Sequence, residues 1–238
     1  MPYAAPAQED TKNSILSSLP ADEFGEIAHT LQPFALAAGA YLYNAAEEIH
    51  HLYFVESGLI SLITVLEDGT SIEVGLAGRE GASGISVLLG SDTAAHQALV
   101  QIDGRALRMK TEDARDAFRR HEQFQRGLLR YTRALLVMTA QTAACNALHT
   151  IEERLARWLL LCRQRSGSDV LPLTHEMLSN MLGVRRSGVT VAAGILQKAG
   201  LIRYSRKDIV ILDREGLESA SCECFRSMSA DVPRDDAG

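Results

Sequence analysis

Arg185, Arg186, Ser187 and Thr190 stand together in a segment that otherwise repeats apolar residues at helical spacing. Val189, Ala192, Ala193, Leu196 and Ala199 define the face such a helix buries, which leaves the four polar residues at its exposed N-terminal end. An arginine there can pair bidentately with guanine O6 and N7, for about 1–3 kcal/mol of discrimination. Hydroxyls and free backbone N–H groups at the same end suit phosphate oxygens. More cations follow: Arg203 precedes the turn Ser205-Arg206-Lys207-Asp208, and Arg206 and Lys207 sit on it, between two short β-type runs. Charges at such a tip can neutralise flanking phosphates and add salt-dependent affinity, although either one alone reads equally as a solvated surface residue.

The surrounding elements give these residues their positions. Leu171-Pro172-Leu173 is extended, and Thr174 is placed to cap a helix from His175 to about Met181, with Leu178, Met181 and Leu182 facing inward. Gly183 supplies a turn with positive φ and Val184 fills it. A second helix runs from about Arg186 to Lys198 and stops at Gly200. The runs Leu201–Tyr204 and Ile209–Leu212 then form a hairpin. Two helices across a tight turn, followed by a basic hairpin, make a winged helix-turn-helix, so Thr174 and His175 join Arg185, Arg186, Ser187, Thr190, Arg203, Arg206 and Lys207 as candidate contacts to double-stranded DNA.

The composition fits this only in part of the chain. The 238 residues are 46% hydrophobic and 23% charged, enough to bury a core. Against 24 Lys+Arg stand 30 Asp+Glu, net −6, an average unsuited to a polyanionic partner. Residues 1–118, however, hold 6 basic and 17 acidic residues, net −11, while 174–207 hold 6 basic and 1 acidic, net +5. The two parts face different partners. No apolar run reaches the ~18 residues of a membrane span, and the first ten residues lack the signal-peptide pattern, so a cytoplasmic protein is expected. Cys145 and Cys162 lie in helical stretches, which argues against a disulfide framework. Cys222-x-Cys224, alone in a polar tail, is too short a motif to argue for a metal; no metal or cofactor is expected, and thiol sensing is a weak alternative.

Upstream, Ile15–Leu31 reads as an amphipathic helix. The runs Ala40–Tyr43, Leu52–Glu56, Leu59–Leu66, Ser71–Leu76, Ala98–Asp103 and Arg105–Met109 read as short strands of a sandwich or barrel, with turns at Ser57-Gly58, Asp68-Gly69 and Asp103-Gly104. After a short helix over Glu112–Arg119 comes the longest one, Glu122 to about Ala147. In it Leu128, Tyr131, Leu135, Met138, Thr142 and Cys145 alternate at spacings of three and four. That seam suits pairing with a second copy; the alternative is packing on the chain's own β-domain. Ile151–Arg163 is another amphipathic helix, with Leu155, Trp158, Leu159 and Cys162 on one face. The division expected is 15–118 β-rich sensor, 119–148 dimerisation helix, 149–217 DNA-binding domain and 218–238 a frayed tail.

The segment LTHEMLSNMLGVRRSGVTVAAGILQKAGLI within Leu171–Leu212 resembles the winged helix-turn-helix of the Crp/Fnr family of bacterial transcription regulators. YFVESGLISL, Tyr53 to Leu62, resembles that family's jelly-roll effector domain, and the similarity spans roughly residues 15–215. The resemblance implies an α+β chain: an N-terminal β jelly roll of cyclic-nucleotide-binding type, a long dimerisation helix and the winged domain. It implies a homodimer on a pseudo-palindromic site, with RNA polymerase and a small-molecule effector as further partners. Arg186 matches an arginine the family often places on guanine, whereas the Glu and second Arg of its cyclic-AMP receptor are here Ser187 and Val191.

The family's cyclic-nucleotide site uses a Gly-Glu pair on the ribose and an Arg-Ser pair on the phosphate. In the corresponding segment, Gly78 to Leu99, Gly81-Ala82-Ser83 and Ala95-His96 stand at those places. A cyclic phosphate without its charged partner is costly to bury, so cyclic AMP is not the expected effector. Arg79, Glu80, Ser83 and His96 are the candidate pocket residues for another ligand, or else a solvated turn and a surface histidine. With no cysteine before Cys145, an N-terminal iron–sulfur cluster is excluded. A cupin-type metalloenzyme built on His50, His51 and Glu56 fails because adjacent strand residues point to opposite faces; the chain is read as a non-enzyme. A β-domain that serves only structure or protein interaction stays open.

Overall fold

Gly58 and Gly104 set the course of the β-rich part. In the computed structural model, which describes residues 5–205 and 208–229, the chain runs straight through both glycines. The four shorter runs expected there are two long strands, β3 His51–Val65 and β6 Gln97–Lys110, adjacent in one sheet. Gly58 has φ +85°, and a Cβ on it would lie 2.6 Å from the Ile102 carbonyl oxygen. A Cβ on Gly104 would overlap the Ser57 carbonyl. The two backbones therefore come too close at these positions for any Cβ, and only glycine permits that approach.

Around this pair the sheet has the order β1–β6–β3–β4, with β1 Gln32–Leu36, β2 Tyr41–Tyr43, β4 Ser71–Ala77 and β5 Ala82–Ser83. β2 pairs β6, and β5 pairs β3. β1 runs antiparallel to β6 with Phe34 opposite Ala106, and β5 faces β3 with Tyr53 opposite Ser83. One long strand thus serves partners along both of its halves, as a jelly roll requires. The expected helix over 15–31 is instead two, α1 Ser14–Ser17 and α2 Ala21–Ile27, because Pro20 has no amide with which to continue the first and stands at the N-cap of the second. Leu52, Phe54, Val55, Leu59 and Ile60 of β3 are wholly or almost wholly buried and form the centre of this core.

The chain divides into two compact units, Met1–Leu62 with Leu76–Leu135, and Ile63–Gly75 with Leu136–Gly238. After α3 Thr111–Arg120, the helix α4 Glu122–Leu148 has its first half in one unit and its second half in the other. Leu128, Tyr131, Met138 and Cys145 of the expected seam are buried within the single chain, and Leu135 and Thr142 are half-buried. The stripe that α4 leaves open is the neighbouring one: Leu129, Arg133, Leu136, Ala140, Ala143 and Ala147, again at spacings of four and three.

The second unit is built on α5 Ile151–Ser166. Thr150 and Glu153 close a capping box at its start, and Gly167 at φ 70° ends it. The helix is buried nearly all round rather than on one face: Leu155, Ala156 and Trp158 through Cys162 are core, with Arg154, Arg157 and Arg165 buried beside them. Trp158 Nε1 donates to Glu73 Oε1 at 2.7 Å, Glu73 belonging to the β4 part of the same unit. Residues 218–229 do not fray. α8 Arg214–Ala220 and α9 Cys224–Ser229 both pack on α5, and Leu217, Cys222, Cys224 and Met228 are buried.

Candidate nucleic-acid interface

β7 Val170–Leu171, α6 His175–Leu182, α7 Arg186–Lys198, β8 Ile202–Tyr204 and β9 Ile209–Ile211 follow in the expected order. The three strands form one sheet, β7–β9–β8. Thr174 caps α6, its side chain accepting from Met177 N at 3.2 Å. Gly183 has φ 62°, and Val184 N donates to the Ser179 carbonyl, which closes the turn. α7 turns Val189, Ala192, Ala193 and Leu196 inward.

That burial leaves Arg185, Arg186, Ser187 and Thr190 exposed around the N-terminal end of α7. Arg185 is the N-cap residue, and its side chain is exposed. Thr190 is more tightly held. Its hydroxyl donates to the Arg186 carbonyl at 3.0 Å and lies within hydrogen-bond distance, 3.1 Å, of His175 Nδ1. The His175 ring also stacks on Tyr204, with centroids 4.1 Å apart and planes within 8°. Burial, and then the Arg186 charge, hold the His175 pKa below its usual value, which keeps the ring neutral near pH 7. Thr174 and His175 therefore fix the geometry of α6, α7 and β8 against one another. Arg203 is exposed on β8; Arg206 and Lys207 lie outside the described residues.

Two residues absent from the sequence-based set share the exposed face of α7. Val191 and Ile195 are 60% and 48% accessible and one turn apart. Apolar groups so placed suit thymine methyls, and their exposure in an otherwise apolar-in helix was the available signal.

In the other unit the four candidate pocket residues have different surroundings. Ser83 is buried and bonded to the Tyr43 hydroxyl at 2.7 Å. The Arg79 and Gly81 carbonyls both accept from the buried Asn13 Nδ2, at 3.1 and 2.8 Å. Glu80 accepts from Gly78 N, and His96 is half-buried, its pKa lowered by that burial. The Tyr131 ring lies directly over Gly81, where any Cβ would overlap it. Gly81→Ala should thus destabilise this unit by about 1–3 kcal/mol, read as a lower urea midpoint at unchanged slope. An open cleft of about 350 Å³ is lined by Tyr43, Glu47, His50, His51 and Tyr53 among others. Glu56 takes no part in it, since its carboxylate accepts the amides of Lys12 and Asn13.

Comparison with known proteins agrees with both halves of this description. Residues 33–121 match the family model of the cyclic nucleotide-binding domain, and 153–220 that of the Crp-like helix-turn-helix domain. No curated protein sequence matches at a significant level. Among solved structures, FixK2 from Bradyrhizobium japonicum is similar at TM-score 0.69 and 19% identity, over 81% of this chain and 98% of that one. CLP of Xanthomonas campestris, described as a c-di-GMP responsive global regulator, gives 0.68 and 17%, over 81% and 99%. A Crp/Fnr family transcriptional regulator from Thermus thermophilus, TTHA1359, gives 0.65 and 23%, over 80% and 98%.

Proposed function

Because the chain belongs to the Crp/Fnr family of DNA-binding transcription regulators, we propose that it acts as a cytoplasmic homodimer on a pseudo-palindromic site, without cyclic AMP as effector and without catalysing a reaction. The observation that carries this is the exposed N-terminal end of α7, where Arg185, Arg186 and Ser187 stand free of the core that orders the helix. A recognition helix presents its N-terminal residues to base edges in this way. Two such helices, related by a two-fold axis, read half-sites about 34 Å apart. The open stripe of α4 suits that pairing, since Ala140, Ala143 and Ala147 let two helices approach closely and Leu129 and Leu136 supply apolar area.

Independence from cyclic AMP is supported by the closed environment of Gly81 and Ser83. Tyr131 covers one and Tyr43 engages the other, and no guanidinium stands at Ala95-His96 to meet a cyclic phosphate. Another small-molecule effector, and contact with RNA polymerase, complete the reading.

The test is a pair of variants. Arg186→Ala should weaken binding to the preferred site by about 1–3 kcal/mol per half-site and relax selectivity at one base pair, with little change on random DNA. Lys207→Ala should weaken binding to all sequences and reduce the slope of log K against log salt by about one per subunit. Equal losses for both variants on random and preferred DNA contradict the base-reading role of Arg186.

A further inference from the structure

Cys145 and His149 are one turn apart near the end of α4 and so share a face. Cys222 and Cys224 flank Glu223 between α8 and the start of α9, 73 residues or more away along the chain. The fold brings one donor atom from each of the four within 4.8 Å of all the others. Among the described residues no other group of His, Cys, Asp and Glu does this. We propose that Cys145, His149, Cys222 and Cys224 form a closed Cys3His site for a single zinc ion, which clasps the end of α4 to the chain between α8 and α9.

The distances fit one ion. Cys145 Sγ and Cys222 Sγ are 3.5 Å apart, and Cys224 Sγ lies 3.6 Å from His149 Nδ1. A tetrahedron with Zn–S of about 2.3 Å and Zn–N of about 2.0–2.1 Å has edges of about 3.5–3.8 Å. The remaining pairs close onto it by small side-chain movements. A cluster of several irons distributes its cysteines around more than one metal and needs a wider cage than 4.8 Å. Three thiolates and an imidazole in tetrahedral array favour zinc over the harder, octahedral cations.

The surroundings are those of a ligand set. His149 turns Nδ1 to the sulfurs and Nε2 to Glu223 Oε2, 3.4 Å away, the arrangement that fixes a metal-bound imidazole's tautomer and raises its basicity. Gln141 Nε2 donates to Cys224 Sγ at 3.1 Å. Charge points the same way. Arg157 is 3% exposed, and among the described residues its one hydrogen bond goes to the weak acceptor Met228 Sδ, leaving Nε without a partner. A buried guanidinium calls for an anion. Three thiolates around Zn²⁺ carry a net charge of −1, the sign that a buried guanidinium on the same unit calls for. All three cysteines are buried and all four ligands come from protein, so no coordination position is left for substrate. The ion's role is structural: it ties the C-terminal helices to α4, and its removal should loosen them.

The experiment uses the full chain, tag removed, purified under reducing conditions and incubated with zinc chloride before desalting. Elemental analysis should find one zinc per chain. Replacement by cobalt should give the intense visible bands of a tetrahedral site and near-ultraviolet thiolate-to-cobalt charge transfer. Cys224→Ser should remove stoichiometric zinc. Should that variant fold poorly, Glu223→Gln, at an exposed position, keeps the ligands and should weaken zinc by about 10–100-fold in competition with a chromophoric chelator. Substoichiometric zinc in the unaltered protein, a cobalt spectrum without charge transfer, or zinc affinity unchanged in both variants overturns the proposal. A Cys145–Cys222 disulfide as the form found in the reduced-purified protein overturns it equally.

Discussion

Glutamate in place of Leu136 should leave the protein monomeric and lower its affinity for an inverted repeat by about 10²–10⁴-fold, the advantage gained when two linked reading heads engage together. Leu136 is 67% accessible in the single chain and sits at the middle of the open stripe of α4. In a symmetric pair each Leu136 approaches its counterpart, so one substitution puts two carboxylates into the same apolar seam. Sedimentation and binding to whole and half sites measure the effect. Leu128→Ala differs in kind: that side chain is buried within one protomer, so its loss should lower stability by about 2–5 kcal/mol. A Leu136→Glu protein that stays dimeric would move the interface off this stripe.

Trp158→Ala should cost about 3–5 kcal/mol, the loss expected for the largest fully buried side chain of the second unit. The indole is buried, and its N–H donates to a carboxylate that is itself buried. Trp158→Phe separates the two contributions. It keeps most of the volume and removes the donor, for about 1–3 kcal/mol. Denaturant unfolding followed by circular dichroism reads both variants. A cost below about 1 kcal/mol for the alanine variant would show that α5 does not organise this core.

The winged module was legible because its signals are local. Thr174 caps, Gly183 turns, and the apolar positions of α7 repeat at helical spacing, so each junction announces itself within a few residues. Longer-range features were harder to read. Ser57-Gly58 and Asp103-Gly104 look like hairpin turns, because a positive φ and a close backbone approach call for the same residue type. In α4 two stripes carry heptad spacing. The more hydrophobic one, Leu128 to Cys145, suits a partner by its pattern, and four of its six residues are buried within the single chain. The open stripe is hidden in sequence by its alanines, whose weak hydrophobicity marks neither core nor surface. Asn13 and Glu56, which brace the chain around Gly81, act through contacts tens of residues apart. The same holds for Cys145 and His149, which acquire meaning only when α8 and α9 fold back onto α5.

Selection of bound sequences from random duplex DNA by the purified protein, with and without cyclic AMP, decides whether it reads DNA as a dimer independent of that nucleotide. The expected result is enrichment of an inverted repeat whose half-sites are one helical turn apart, with affinity unchanged by the nucleotide. Enrichment that appears only when cyclic AMP is present, or of a single unrepeated half-site, would contradict it.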